Sequence, residues 1–204
     1  MNGDGEQRSL RSRRAVTRLA SAAILAVAGA QLAVAATISV QTERDGDSVE
    51  VRASAMLKAD PAMAWRVLTD YDRYPEFIPD LRVSRVLARH GGKVTVEQSG
   101  SASLWVFKIP LDVTFEIDEL PPNTVRSHAI AGNLRALVSS YELTPGPLGV
   151  RLDYAGRIAP GFEAFAQIEQ ITVEQSIARQ FQSLADEIER RSAANSREET
   201  AQEH

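Results

Sequence analysis

Every odd position from Trp105 to Ile117 is apolar: Trp105, Phe107, Ile109, Leu111, Val113, Phe115 and Ile117. Lys108, Asp112, Thr114, Glu116 and Asp118 take even positions. A period of two over that length specifies an extended strand with one hidden face and one wet face. Such a strand needs neighbours along its edges and a cover over its apolar side. Pro110 cannot donate to a ladder, so it marks a bulge, a bend or an edge within the run.

The neighbours and the cover are both legible. Val49, Val51, Ala53, Ala55 and Leu57 alternate with Glu50, Arg52 and Ser54. Leu81–Ala88 runs to the hairpin signal His90-Gly91-Gly92, and Lys93–Gly100 follows. Further strand-like stretches at Thr124–Ile130, Leu134–Leu143 and Val150–Ile158 are separated by Gly132-Asn133 and Pro145–Gly149. Each short gap suits an antiparallel hairpin. Asp60 is a good N-cap before Pro61, and Ala64, Val67 and Leu68 recur at helical spacing, predicting a short helix. Asp70, Asp72 and two prolines then hold a second aromatic turn short, through Pro79. Ile177, Phe181, Leu184 and Ile188 follow a four-three-four spacing, and with Ile168, Ile171 and Val173 predict one amphipathic helix to about Arg191. The expected fold is α+β: a curved antiparallel sheet of six to seven strands wrapped around a long C-terminal helix, a helix-grip with space between the two. The domain is expected over residues 47–191, after a linker or frayed strand start at 36–46 and before a disordered tail at 192–204.

Residues 1–35 read as an address. Five arginines between Arg8 and Arg18 precede an apolar run from Leu19 to Leu32, and Ala33-Val34-Ala35 has the small-residue pattern of a signal-peptidase site. The run is short for a membrane span of roughly 20 residues. Cleavage after Ala35 and delivery to the periplasm or beyond is the expectation; an uncleaved anchor is the alternative. Arg13-Arg14 also resembles a twin-arginine signal, without most of the large apolar residues usual after the pair. Without residues 1–35 the balance is 18 basic against 25 acidic residues. That surface repels phosphate backbones, so nucleic-acid binding is not expected. The chain has no cysteine, which removes disulfides and zinc–thiolate sites. His90, His128 and His204 lack metal-ligand spacing, and no cofactor is implied.

The run Trp65-Arg-Val-Leu-Thr-Asp-Tyr-Asp-Arg-Tyr-Pro-Glu-Phe-Ile-Pro-Asp-Leu-Arg-Val-Ser84 resembles the START-like (SRPBCC) superfamily, in the group of polyketide cyclase/dehydrase and coenzyme Q-binding START domains. Glu97–Gly100, Glu119–Pro122, Gly132–Arg135, Tyr141–Pro145 and the Phe181–Ile188 helix add weaker support. The resemblance covers nearly all of residues 47–191. It implies a hydrophobic pocket that carries or presents a lipid-like molecule, and it does not imply one reaction.

Against that implied pocket, particular side chains stand out. Arg135 shares parity with Leu137, Tyr141 and Leu143, so it is expected on the cavity wall, where a cation would bind an anionic head group or polarise a carbonyl; the alternative is an arginine at the mouth reaching water. Gln98 falls on an apolar face and needs a partner, either a ligand oxygen or a backbone carbonyl. Tyr141 and Tyr154 offer hydroxyls to orient one polar ligand atom. Trp105, Phe107 and Phe115 are expected as lining, and Phe162, after Pro160-Gly161, as an apolar lid. No catalytic pair is evident. The sequence therefore points to an exported carrier or chaperone of a lipid, isoprenoid or quinone, with transient membrane contact and no identified protein partner. A polyketide-type cyclase/dehydratase and an interaction module with a filled cavity are the alternatives.

Overall fold

The computed structural model describes residues 38–104, 107–160 and 170–202. In chain order these form β1 (Ile38–Asp45), β2 (Ser48–Leu57), α1 (Pro61–Leu68), a three-ten turn (Tyr71–Glu76), β3 (Leu81–His90), β4 (Lys93–Leu104), β5 (Phe107–Leu120), β6 (Thr124–Gly132), β7 (Leu134–Gly146), β8 (Gly149–Pro160) and α2 (Gln170–Gln202). The strands make one antiparallel sheet in the order β1-β2-β8-β7-β6-β5-β4-β3. Five consecutive antiparallel pairings account for β3 to β8, and β2 then closes against β8 to set the α1 segment beside α2.

The helix-grip expectation holds, with three differences. The sheet has eight strands because residues given to a linker form β1, which pairs with β2 from Ile38↔Ala55 to Asp45↔Ser48. Its polar composition suits an edge, where only one side is buried. The last helix does not stop near Arg191 but runs on to Gln202, so the expected tail at 192–204 is helical as far as it is described. Ser192 explains part of this: it is buried, and its Oγ accepts from the Asp60 backbone N–H at 2.8 Å.

Pro110 takes an edge-like place inside an interior strand. β6 pairs with β5 only from Val113 onwards, leaving Pro110 without a β6 neighbour. Asn133 fills in for that neighbour: its Nδ2 donates to the Pro110 carbonyl at 2.7 Å and its Oδ1 accepts from the Asp112 N–H at 3.1 Å. A residue's N–H and C=O leave a strand on the same side, so the missing proline donor falls on this open side. Gly132, with φ +123°, brings Asn133 there; a Cβ at that position would collide with the Asp112 carbonyl.

The core lies where α2, α1 and the sheet meet. Leu57, Ala64, Val67, Leu68, Leu143, Leu152, Leu184 and Ile188 are essentially sealed from water. α1 forms for the predicted reason, with Asp60 Oδ1 accepting from the Met63 N–H at 2.9 Å. The two aspartates after α1 are more than turn-formers. Asp72 Oδ1 accepts from the Val86 N–H of β3 at 2.7 Å, and Asp70 receives the Arg191 guanidinium at 2.6 Å. Arg191 also donates to Glu187 at 2.6 Å and lies 5.7 Å from the centre of the Phe77 ring.

Glu187 makes this junction sensitive to acid. The hydrogen bond from Arg190 does most to hold its carboxyl down at about 2; burial opposes that and Arg191 adds to it. A carboxylate depressed in the native state stabilises the fold above its ordinary pKa of 4.5, and that stability is lost as pH falls toward about 2. Denaturant midpoints measured from neutral to acid pH are expected to fall across that window. Glu187→Gln should lower the neutral-pH midpoint and flatten the acid limb; an unchanged acid limb would remove Glu187 from this role.

Candidate functional site: a cavity between sheet and helix

The sheet's concave face does not meet α2 everywhere. A cavity of about 320 Å³ lies between them. β4 contributes Gln98 and Gly100, β5 contributes Leu111, Val113, Phe115 and Ile117, and β6 contributes Val125 and Ser127. Leu134, Leu137, Ser139 and Tyr141 come from β7, and Tyr154 and Ile158 from β8. Leu68, Tyr71 and Tyr74 close the end nearest α1, while Ile177, Gln180, Phe181 and Leu184 of α2 form the roof. The strand residues among them are inward positions of alternating strands, so the pattern that built the sheet also built most of the wall.

All four tyrosines of the chain line this space. The Tyr141 and Tyr154 rings lie 4.8 Å apart across the β7–β8 ladder, where the two residues pair directly. Tyr154 lies back along its own strand over Gly156; a Cβ there would strike the phenol oxygen. Gly156 pairs with Ser139, and Ser139 with Ser127, whose hydroxyls are 2.7 Å apart. Three hydroxyl side chains therefore follow one another across β8, β7 and β6. At the closed end Tyr74 donates to the Leu68 carbonyl at 2.7 Å. Tyr71 is buried, and its hydroxyl meets no hydrogen-bond partner among the described residues.

These phenols are held neutral. Burial pushes Tyr154 up to about 12, with the Ser139 hydroxyl pulling slightly the other way. Burial likewise raises Tyr141 well above the usual range, helped by Tyr154 and Tyr74. Tyr74 is raised by burial, then by Tyr71, Asp70 and Glu119; Tyr71 by burial and the nearby Glu119 carboxylate, which is itself paired with Arg89 at 2.7 Å. Neutral phenols donate hydrogen bonds at physiological pH and do not serve as bases. Among the described lining residues the one charged side chain is Asp80.

The sequence-derived candidates divide as follows. Gln98, Phe115, Tyr141 and Tyr154 come together at the cavity. Gln98 Nε2 donates to the Ser84 hydroxyl at 3.2 Å. Arg135 is corrected. Leu134 pairs with Pro160 and Ala136 with Ala159, so Arg135 is the extra residue of a bulge, and the count back from Tyr141 fails there. Leu134 faces the cavity instead, while Arg135 is 56% exposed and lies 3.4 Å from Asp47. Trp105, Phe162 and the Phe107 side chain lie outside the described residues. Sequence reasoning missed Ser127 and Gly156, and put Ser139 on the cavity face by parity with Tyr141 without giving it a role in binding. Their signal was inward parity, a serine or glycine on the same face as Val125, Tyr141 and Tyr154.

Comparison with known proteins agrees with this architecture. The model of a family described as "Polyketide cyclase / dehydrase and lipid transport" matches residues 57–193. A STAR-related lipid transfer protein from Xanthomonas axonopodis superposes with a TM-score of 0.63 at 18% identity, over 74% of this chain and 93% of that one. The Zhui aromatase/cyclase from a Streptomyces species gives 0.56 at 12% identity, over 76% and 96%. A START superfamily protein from Mycobacterium smegmatis gives 0.52 at 13%, over 77% and 97%. At these identities the likeness is one of fold. No curated protein is similar enough in sequence to match.

The raised phenols give a spectroscopic expectation. A group whose native pKa lies above its unfolded value of 10.0 stabilises the fold below that value and ceases to do so as pH rises through the native pKa. Native protein titrated in the ultraviolet should show no tyrosinate below about pH 11, whereas in denaturant all four should ionise near pH 10. A native phenolate signal near pH 10 would mean that at least one ring is not enclosed.

Proposed function

The chain belongs to the polyketide cyclase / dehydrase and lipid transport family, and from that membership and its cavity we propose that it binds a hydrophobic ligand and carries or presents it without chemistry. Lipids, isoprenoids and quinones are the ligand classes that fit. The observation that carries this reading is an apolar cavity whose described polar groups are almost all uncharged. Its volume of about 320 Å³ is at the lower end of the range for ligand pockets. A ligand that hides on the order of 300 Å² of apolar surface gains about 7 kcal/mol before the cost of immobilising it.

A cyclase or dehydratase would need an acid and a base converging on the substrate. The described lining supplies raised phenols and one aspartate, a set suited to holding an oxygen in place rather than moving protons. An interaction module would need no cavity. We also read the protein as exported: the arginine-rich start, the apolar run 19–32 and Ala33-Val34-Ala35 support this, and β1 begins just beyond, at Ile38. A carrier of a water-insoluble molecule would touch membranes briefly to load and unload.

Native mass spectrometry of the protein from its own cells, with organic extraction of bound material, tests the binding. A stoichiometric lipid, isoprenoid or quinone is expected. Protein at its bare mass, even after incubation with lipid extract, would count against a carrier. In the same experiment the mature chain should begin at Ala36; a full-length chain retained with membranes would replace export and cleavage by anchoring.

A further inference from the structure

We infer that the hydroxyl row Tyr154–Ser139–Ser127 is the recognition site for one uncharged oxygen of the ligand, a hydroxyl or carbonyl, and that the cavity rejects ligands whose buried end is charged. This inference rests on the carrier reading above and specifies its ligand class.

Three independent features of the fold assemble the row. Register places Ser139 opposite both Gly156 and Ser127, on the concave face. Gly156 leaves the space that the Tyr154 phenol occupies, so the ring lies down toward Ser139 rather than standing into the cavity. The two serines are already hydrogen-bonded at 2.7 Å, and either can be the donor. Such a chain can present a proton to a carbonyl or accept one from an alcohol by turning its hydroxyls, without moving the backbone. Hydroxyls so placed give orientation, while Leu137, Phe115 and Ile158 around them exclude water.

The same wall disfavours charge. A buried carboxylate or phosphate needs a cation or several strong donors, and without them pays a desolvation penalty of several kcal/mol. Arg135, the cation expected to face inward, is outside on its bulge with Asp47. Asp80, the charged side chain among the described lining residues, has the wrong sign for an anion.

Matched probes separate the ideas: naphthalene, β-naphthol and β-naphthoate, which share one ring system and differ in bearing no oxygen, a neutral oxygen and an anion at neutral pH. Binding is read by fluorescence to the full protein and to its Ser139→Ala and Tyr154→Phe variants. Ser139→Ala and Tyr154→Phe are each expected to weaken β-naphthol roughly tenfold, as for a buried hydroxyl that loses its partner. Naphthalene should change less than about twofold in either variant, which also verifies that the cavity is intact. β-Naphthoate should bind the wild-type protein at least about a hundredfold more weakly than β-naphthol, given the cost of an unpaired buried charge. If naphthalene is lost in Tyr154→Phe, Ser139→Ala decides, since it removes a single oxygen. Naphthalene bound throughout, with β-naphthol no more affected than naphthalene or β-naphthoate bound as well as β-naphthol, overturns the hydroxyl row and leaves the carrier reading standing. Failure of all three probes to bind the wild-type protein overturns the carrier reading and the row with it.

Discussion

A curved sheet can hold one straight helix by its edges without touching it along its middle, and this geometric constraint governs the rest of the molecule. α2 packs on β1 and β2 at one edge, on β4 toward the other, and on α1. Under part of α2 the central strands leave the cavity. Where the two surfaces converge, Leu143, Leu152, Leu184 and Ile188 are sealed from water in one core cluster. Where they diverge, inward side chains reach from both sides and do not meet. The cavity is thus the remainder of the same packing problem that produces the core.

What the remainder is lined with decides its chemistry. Four phenols, several serines and two glutamines bring uncharged polar atoms to the wall at much lower desolvation cost than charges would. Because burial raises the phenols, they stay protonated and donate wherever the protein works. Arg191 forms a closed group with Asp70 and Glu187, which ties α2 to the turn after α1. Polarity inside the cavity therefore orients a guest, and polarity outside it fastens the lid of the core.

Most of the architecture was legible because the signals are local. Odd-position alternation through Ile117 fixes β5, the Gly91-Gly92 pair fixes the β3–β4 hairpin, and the four-three-four spacing of Ile177, Phe181, Leu184 and Ile188 fixes the roof. Parity also placed Gln98, Phe115 and Tyr141 at the cavity, and Tyr154 was singled out for its hydroxyl. It failed at Arg135 because a bulge adds a residue on one strand only, and a bulge depends on the partner strand rather than on local pattern. β1 escaped notice because a strand buried on one side at a sheet edge needs little hydrophobicity. Ser127 and Gly156 were passed over, and Ser139 was left without a role, because a small or polar inward residue looks like a lapse in alternation. Its meaning depends on cross-strand register, and register is a long-range property.

The departures from regularity cluster at one end of the sheet, and their placement has a common consequence. β6 and β7 pair only from Thr124↔Glu142 to His128↔Val138. Beyond that β6 stays with β5, bulging at Ile130, while β7 stays with β8, bulging at Arg135. The hairpin between them is splayed, and the Gly132-Asn133 corner is fastened to β5 at Pro110 and Asp112. Leu134 and Leu137 are thereby turned toward the cavity although three residues apart, a spacing that regular alternation forbids. A continuous ladder here would have brought Arg135 inward with Leu137 and Tyr141. The bulge is what exchanges a cation for a leucine at this end of the wall, so the chemistry of the cavity is set by backbone register as much as by residue choice.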